Sequence, residues 1–311
     1  MWSRYLCFDF YHTLNIQLPF KMKINSCFLS YRCISLWGAL LCLAGCNTSS
    51  EINYPLKYEG DKLILLAQIQ QNEEIVVQVL RTSPPLDPFY RDSFYISNAE
   101  VKLYENDSIY LLQHIGNGFY EIGEHHIAQS GNVYKIEASA PGFTLTYSDW
   151  ETVPNPGVIS NVDWSTIVTE SQYDGRLSLK IDLPGDTPFE LFLNGMAGSE
   201  ELSPYYEIVE GIGLYCGGTT FIPECLTLEG EIIFEVDREY FNGSVELIIT
   251  HLIPVLTIIS ESQKKYEESV ALQSDANDYP FIANTSPYTN IHNGYGLLST
   301  SAAISVSIPI N

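Results

Sequence analysis

Basic residues are scarce in this chain of 311 residues. It has 15 Lys and Arg against 38 Asp and Glu, which gives a formal net charge of -23. A surface of that sign repels phosphate backbones, so the composition argues against nucleic-acid binding. Methionine is also scarce, with three residues, whereas 21 Tyr, 14 Phe and 21 Gly favour strands and turns over a helical bundle. With 45% hydrophobic residues, the chain can bury the core of one or two domains.

Catalytic and metal-binding signatures are missing from the sequence as well. It contains no nucleophile elbow, no HExxH motif, no phosphate-binding loop with its lysine and no EF-hand spacing. His125 and His126 are adjacent, so on a strand they would point to opposite faces and could not share a metal ion. The acidic pairs Glu200–Glu201 and Glu267–Glu268 would serve a glycosidase only if folding brought two carboxylates into one cleft. We therefore predict no catalytic residues, no metal and no cofactor, and expect that the protein is not an enzyme.

A short apolar segment near the N-terminus ends at a cysteine. Leu43-Ala44-Gly45-Cys46 follows the apolar run 34–42, and Lys21, Lys23 and Arg32 precede that run. Positive charge, a short apolar stretch and small residues before a cysteine are the parts of a bacterial lipoprotein signal peptide. A transmembrane helix is the alternative, but a membrane span needs about 20 apolar residues and this run is shorter.

The mature protein is thus predicted to begin at Cys46, which would carry lipid and attach the chain to a membrane. Residues 1–45 form the signal peptide region, with Met22 as an alternative start, and residues 46–60 form a polar, lipidated tether. Removing the signal region removes four basic residues and one acidic residue, so the mature net charge is about -26. The residue after the cysteine is Asn47 and not Asp. The best-known sorting rule keeps lipoproteins with Asp at this position in the inner membrane, so Asn47 favours an outer-membrane location.

Besides Cys46, the mature chain contains two cysteines, Cys216 and Cys225. In an oxidising compartment, two thiols nine positions apart are a natural disulfide pair. On the chain-entropy model, closing that loop stabilises the fold by about 2.7 kcal/mol. A zinc site and free thiols are the alternatives, although no nearby histidine or second cysteine pair completes four zinc ligands.

Apolar and polar residues alternate along the mature chain with the period of β-strands. Seven such runs lie between residues 61 and 155, and turn signals such as Gly116-Asn117-Gly118 separate them. This pattern predicts an N-terminal β-sandwich of immunoglobulin or transthyretin type. The predicted strands are Leu63–Ile69, Ile75–Leu80, Ala99–Tyr104, Ser108–Gln113, Phe119–Ile122, Val133–Ser139 and Phe143–Val153.

Two prolines and a glycine within Pro154–Gly157 predict a domain boundary, because such residues cannot continue a central strand. Residues 156–311 are predicted to form a second β-rich domain with one or two helices. One helix should start after Ser260, which caps it with Gln263 three residues on, and end before Asp275. The strands expected in this half are Val158–Trp164, Leu177–Leu183, Phe189–Leu193, Glu231–Val236, Val245–Ile253 and Leu297–Ile308, the last of which should pair into the second sheet.

The tail of the chain contains its most specific motif. The stretch Asn290–Gly296 matches an Asn-Ile-x-Asn-Gly-x-Gly block within Ser286–Leu297. Together with the lipoprotein signal and the segments Gly142–Tyr147 and Val153–Pro154, this tail resembles the Bacteroidota lipoprotein family known as domain of unknown function 4249. The resemblance covers nearly all of the mature chain and supplies no catalytic residues. It implies an accessory role beside TonB-dependent outer-membrane receptors.

Asn290, Asn293, Gly294 and Gly296 are the motif residues that stand out chemically. Asn293-Gly294 is typical of a type I′ hairpin, because both positions tolerate positive φ, so the motif is predicted to be a structural turn. The turn is expected to belong to the fold of the second half. A ligand-binding site is the alternative interpretation.

These features predict a lipid-anchored cell-envelope protein that binds an outer-membrane receptor or the cargo of that receptor. The alternatives are a structural or adhesive pilin-like subunit, since lipoprotein pilins also use paired β-sandwiches, and an envelope hydrolase. The expected partners are the membrane, through the N-terminal lipid, and a receptor protein. No nucleic acid is expected to bind.

Overall fold

Strands make up nearly all of the regular structure. A computed structural model describes residues 58–84, 94–123, 125–167, 175–210, 212, 220–221, 231–237, 239–242, 245–278 and 286–310. Within these ranges the chain forms 21 strands and one helix, so the mainly β class is confirmed. No helix of this described part is long and apolar enough to cross a bilayer.

The first-half strands follow the predicted runs closely. One of them covers the predicted Val133–Ser139, with Tyr134, Ile136 and Ala138 buried and the residues between them partly exposed. Such alternation is required of a pleated strand that buries one face. The predicted run 143–153 is divided into two short strands. The strands are β1 (Leu63–Gln70), β2 (Val76–Arg81), β3 (Glu100–Glu105), β4 (Ser108–Gly116), β5 (Phe119–Glu121), β6 (Val133–Ser139), β7 (Thr146–Ser148) and β8 (Glu151–Thr152).

The second half contains the helix and the remaining strands. All of its predicted strands are present, although the run 245–253 is split and several neighbours are added. The elements are β9 (Val158–Thr166), β10 (Gly175–Asp182), β11 (Phe189–Ala197), β12 (Glu200–Leu202), β13 (Tyr206–Glu210), β14 (Thr220–Phe221), β15 (Glu231–Val236), β16 (Glu239–Asn242), β17 (Val245–Ile248), β18 (His251–Ile259), α1 (Glu261–Asp278), β19 (Ile291–His292), β20 (Tyr295–Ser305) and β21 (Ile308–Pro309).

Most strands join one large mixed sheet. Its order is β12-β11-β18-β20-β1-β2-β5-β4-β3-β6-β7-β19, and a separate four-stranded sheet has the order β13-β15-β10-β9. β4 serves two neighbours, since its residues 108–112 pair with β3 and its residues 113–116 pair with β5. The turn from β4 to β5 is made by Asn117 and Gly118, which have φ of 49° and 71°. This is the positive-φ pair that a two-residue hairpin loop needs.

Two hydrophobic clusters lie in the two halves of the chain. The first contains residues of β1, β2, β5, β3 and β6, together with Ile291 and Leu298 from the tail. The second contains Leu177 and Leu179 of β10, Phe234 of β15, and residues of β11 and β18. The four-stranded sheet therefore packs against the β11–β18 part of the large sheet.

β20 does not pair only with the second half, contrary to the sequence-based expectation. Its residues 295–301 pair in parallel with 64–70 of β1, and its residues 301–305 pair antiparallel with 255–259 of β18. A tail strand whose residues are small enough to be buried on both faces can serve as a central strand, and Leu298–Ala302 are all buried. The proposed division into domains 61–155 and 156–311 stays a prediction, but β20 hydrogen bonds to strands of both halves.

Helix α1 begins where the sequence predicts. The backbone N–H of Gln263 donates to Ser260 Oγ at 3.3 Å, which is the expected N-cap. Lys264 Nζ lies 3.9 Å from Glu261 Oε1 and 4.0 Å from Glu268 Oε1. The helix continues through Asp278, so the prediction that it ends before Asp275 is wrong.

Two carboxyl groups, one on β11 and one on α1, interact electrostatically. Glu267 of α1 acts on Glu190 of β11, and Gln263 Nε2 donates to Glu267 Oε1 at 2.9 Å. Burial, followed by the charge of Glu267, raises the pKa of Glu190 to about 7. The folded protein therefore holds a proton on Glu190 that an unfolded chain releases at lower pH.

Replacing Glu190 should change how stability depends on pH. The contribution of protonated Glu190 is fully present below the unfolded pKa of about 4.3 and is lost as the pH rises through about 7, so wild-type stability should fall between these values. Glu190→Gln removes this dependence and should stabilise the protein at pH 8 by about 1 to 2 kcal/mol, after discounting for partial exposure. Chemical denaturation at pH 5 and pH 8 measures the difference. Glu200→Gln, on an exposed site of β12, is the matched control, and an unchanged pH slope in Glu190→Gln would contradict the assignment.

Candidate functional site

The lipidation and disulfide predictions concern residues that the structure does not describe. Cys46, Cys216 and Cys225 all lie outside the described ranges. Both predictions therefore stay predictions. The tail motif, in contrast, is fully described.

The motif Asn290–Gly296 connects two strands that lie far apart in the sheet order. Its β19 portion pairs with β7 at one end of the large sheet, Ile291 opposite Ser148 and His292 opposite Tyr147. Its β20 portion pairs with β1 in the middle of the sheet. The expectation that the turn belongs to the second half alone is wrong, because both strands that flank the turn pair with strands of the first half.

The hairpin interpretation of Asn293-Gly294 is also wrong. Asn293 has φ of 63° and its Nδ2 donates to the Leu145 carbonyl at 3.0 Å, but Gly294 does not have positive φ. Gly294 is required for another reason: a Cβ there would lie 2.4 Å from the Leu63 carbonyl oxygen and 2.6 Å from Thr146 Cγ2. The structural role predicted for the motif therefore rests on close approach of backbones, which the sequence pattern could not reveal.

Asn290 completes the hydrogen bonding of β20 where no strand is available. Its side chain is buried, with an exposed fraction of 3%, and it donates to the Leu298 carbonyl at 2.8 Å while accepting from the Leu298 N–H at 3.0 Å. Two neighbours extend this arrangement, since Thr289 Oγ1 donates to the Gly296 carbonyl at 2.7 Å and Ser260 N–H donates to the Thr300 carbonyl at 2.9 Å. These groups bond the edge of β20 that faces away from β1, as a neighbouring strand would.

Glu151 connects this motif to the helix. Its Oε1 accepts a hydrogen bond from Asn290 Nδ2 at 3.0 Å and another from Ser262 Oγ in the first turn of α1. Burial raises the pKa of Glu151, while the bonds from Ser262 and Asn290 partly offset that rise. The arrangement fixes β8, α1 and the tail to one another through a single carboxylate.

Glu151 also lines a cleft of about 500 Å³ beside the start of α1. Asp186 and Glu261 contribute two further carboxylates to its wall, and Trp150 lies at the same cleft. The acidic pairs singled out in the sequence lie elsewhere, Glu201 being bonded to Asn194 and Glu267 to Gln263. The cleft is thus the place where hydrolase chemistry would have to be sought, and sequence spacing did not indicate it.

The two adjacent histidines lie between β5 and β6, outside the strands, and have separate partners. His125 Nδ1 lies 2.5 Å from Glu74 Oε1, and His126 Nε2 lies 2.6 Å from Glu105 Oε2. Glu105 is buried and also accepts from Tyr134. Among the described residues, no cluster of three or more His, Cys, Asp or Glu could hold a metal ion.

A group of partly exposed rings lies on the outward side of β3, β6, β7 and β19. Tyr104 is paired with Lys135, and Tyr147 is paired with His292 in the neighbouring strands. The residues next to them in sequence, such as Leu103, Ile136 and Ile291, are buried. Successive side chains of a strand point to opposite faces, so Tyr104, Lys135 and His292 point outward. We call Tyr104, Lys135, Tyr147, Trp150 and His292 the aromatic face.

Lysine lies at the centre of the aromatic face. Lys135 Nζ is 4.7 Å from the ring centroid of Tyr147, 5.6 Å from that of Tyr104 and 6.0 Å from that of Trp150. The Tyr104 and Trp150 rings meet edge to face at 6.2 Å. The Tyr147 ring stacks on His292 at 4.9 Å, and His292 Nε2 lies 2.7 Å from Asp149 Oδ1. Sequence analysis missed this group, because its members meet only through the strand register.

An apolar stripe adjoins the aromatic face on β4 and β5. Ile109, Leu111, Ile115 and Phe119 form this apolar stripe, with exposed fractions of 61%, 63%, 53% and 36%. Ile109 is paired with Tyr104, and Leu111 with Lys102, so the stripe continues the outward surface of β3. Contiguous exposed apolar residues of this kind mark interaction sites more often than isolated ones do.

Adding one methyl group at the turn tests its structural role. Gly294→Ala places a Cβ against the Leu63 carbonyl and buried Thr146, so it should destabilise the protein by about 1 to 3 kcal/mol, measured by denaturant unfolding. Gly198→Ala is the control, since it has positive φ but no neighbour within 4 Å, and should cost about 1 kcal/mol. If Gly294→Ala left stability unchanged while partner binding was lost, the motif would be a binding surface.

Comparison with known protein families gives the family that the tail motif resembles. No curated protein matches the chain. The model of the family described as Domain of unknown function (DUF4249) matches residues 49–305. Because this match covers well over half of the chain, the protein belongs to that family.

Proposed function

We propose that the protein is a lipid-anchored accessory protein of the bacterial outer membrane, in the Bacteroidota, which binds a TonB-dependent receptor or the cargo of that receptor. The observation that carries the proposal is the apolar stripe on β4 and β5. Leu111 and Ile109 are each more than half exposed, whereas Leu112, the next residue of β4, is buried. Apolar side chains held outward on a rigid strand gain free energy when a partner covers them.

The charge of the protein adds a constraint on that partner. The chain has a formal net charge of -23, so a receptor surface with basic residues around an apolar centre would be attracted to it. A rim of opposite charge speeds association, while the apolar centre supplies most of the binding free energy. The stripe and the acidic surface together favour a protein partner of this kind.

The finer fold prediction is part of the proposal. Residues 61–155 form an immunoglobulin- or transthyretin-like β-sandwich in our interpretation. Support comes from the first hydrophobic cluster, which combines Leu65 and Val79 of the β1–β2 side with Leu103 and Ile136 of the β3–β6 side. Two strand groups that bury residues in one common core are typical of a sandwich.

The lipid anchor is tested at the predicted acylation site. Cys46→Ser should release the protein from the membrane fraction or leave it as unprocessed precursor, because the thiol that receives lipid is missing. Fractionation of cells followed by intact-mass measurement gives the result. Cys225→Ser is the matched control and should remain with the membranes. Normal acylation and fractionation of Cys46→Ser would refute the anchor.

Receptor binding is tested by crosslinking from the apolar stripe. A photo-reactive p-benzoylphenylalanine in place of Leu111 should capture a TonB-dependent receptor in native membranes, identified by mass spectrometry. The control carries the same photo-reactive group in place of Ile248, which is 55% exposed on β17. This control should not capture the receptor. Ile109→Ser with Leu111→Ser should reduce receptor recovery about tenfold while stability changes by less than about 0.5 kcal/mol.

The same crosslinking distinguishes the alternative functions. Capture of further copies of this chain, with ladders on native gels, would support the pilin-like subunit in place of the accessory protein. The insertion of β20 between β1 and β18 is the feature that favours this alternative, because a strand that completes another sheet can be exchanged between copies. Crosslinks that are equal at positions 111 and 248 would refute both interpretations of the stripe.

A further inference from the structure

The aromatic face contains a cation whose hydrogen-bond donors are unused. Among the described residues, Lys135 Nζ has contacts to three aromatic rings and no hydrogen bond or ion pair. The neighbouring Lys102 differs, since its Nζ lies 2.8 Å from Glu100 Oε1 and 3.9 Å from Glu137 Oε1. Ring contacts hold the Lys135 ammonium group in place without satisfying its three N–H donors.

Three aromatic rings surround this ammonium group. Trp150 is 50% exposed, Tyr104 and Tyr147 are partly exposed, and Tyr147 stacks on His292. Aromatic ring faces are apolar and carry negative potential, so they attract the slightly positive C–H bonds of a ligand. A ligand that fits must therefore offer an apolar face of C–H bonds together with oxygen acceptors at its edge.

Charge narrows the class of ligand further. The net charge of -23 opposes the approach of polyanions, and Glu137 and Asp149 lie beside the rings. Lys135 at the centre of the group opposes a cation. An uncharged ligand with many hydroxyl groups avoids both penalties, because its oxygens accept from Lys135 and its hydroxyls donate to the nearby carboxylates.

Saccharides have this combination of features. A pyranose ring presents C–H bonds on one face and hydroxyl groups around its edge, so it can lie on the exposed Trp150 ring while an oxygen accepts from Lys135. We infer that the aromatic face is a binding site for an uncharged oligosaccharide. The inference rests on the proposed function, in which it names the chemical class of the cargo.

Binding of neutral oligosaccharides to the purified full chain tests this site. The probes are maltohexaose, cellohexaose, xylohexaose and mannohexaose, with hexagalacturonate as the acidic comparison, each titrated by calorimetry. At least one neutral probe should bind with a Kd below about 1 mM, and hexagalacturonate should bind more weakly than that probe. Trp150→Ala and Lys135→Met should each weaken binding about tenfold, since one removes the stacking ring and the other the donors.

A matched lysine provides the control. Lys180→Met, on β10 and 3.9 Å from Asp182, should leave affinity unchanged. Melting temperatures of all three variants show whether any loss of affinity comes from unfolding. Trp150 is exposed, so Trp150→Ala should change stability little. Absence of binding by every neutral probe, tighter binding of hexagalacturonate, or equal affinity in wild type and Lys135→Met would overturn the inference.

The two proposals fail in distinguishable ways. Receptor capture from position 111 without saccharide binding would remove the cargo site and leave the accessory function standing. Saccharide binding without receptor capture would leave a glycan-binding protein with no receptor. If position 104 on the aromatic face crosslinked the receptor and no saccharide bound, the face would be part of the protein interface, which would also overturn the inference.

Discussion

The hydrogen bonding of strand β20 is the constraint on which the rest of the structure depends. Its residues 298–302 are buried, so each backbone N–H and carbonyl there needs a partner within the protein. β1 bonds one edge of the strand, whereas β18 reaches only its last five residues on the other. Thr289, Asn290 and Ser260 bond the remaining part of that edge. Residues before and after the helix thus bond to one strand.

Glu151 shows how the same constraint organises the surroundings. Its carboxylate accepts from Asn290, which bonds β20, and from Ser262, which begins the helix. Thr300 Oγ1 also donates to the Thr152 carbonyl at 2.7 Å, next to Glu151 in β8. A buried carboxylate is costly unless it is hydrogen bonded, and here its acceptor capacity is used to join three segments of the chain. The polar residues of the tail therefore have a structural explanation.

The aromatic face and the apolar stripe have no structural explanation of this kind. The rings around Lys135 and the apolar side chains of β4 lie on strands whose inward residues already fill the core. Removing them from water would require another molecule, since the described part of the fold leaves them exposed. Strand pairing holds these side chains in one surface, because adjacent strands of a pleated sheet present every second residue on the same face. The candidate interactions of the protein are therefore separate from its most recognisable motif.

The sequence by itself determined the β class, most of the strands, the cap of the helix at Ser260 and the turn at Asn117-Gly118. Each of these depends on residues close together in the chain: alternation with period two, a capping hydroxyl three residues before its N–H, or a pair of residues that tolerate positive φ. The structural role of the Asn290–Gly296 motif stays a prediction. Only the tertiary structure decided the parallel pairing of β20 with β1, the close approach of Gly294 to Leu63 and the grouping of Tyr104, Lys135 and Tyr147. These contacts join residues far apart in the chain, and strand register, which local patterns do not specify, fixes which of them meet.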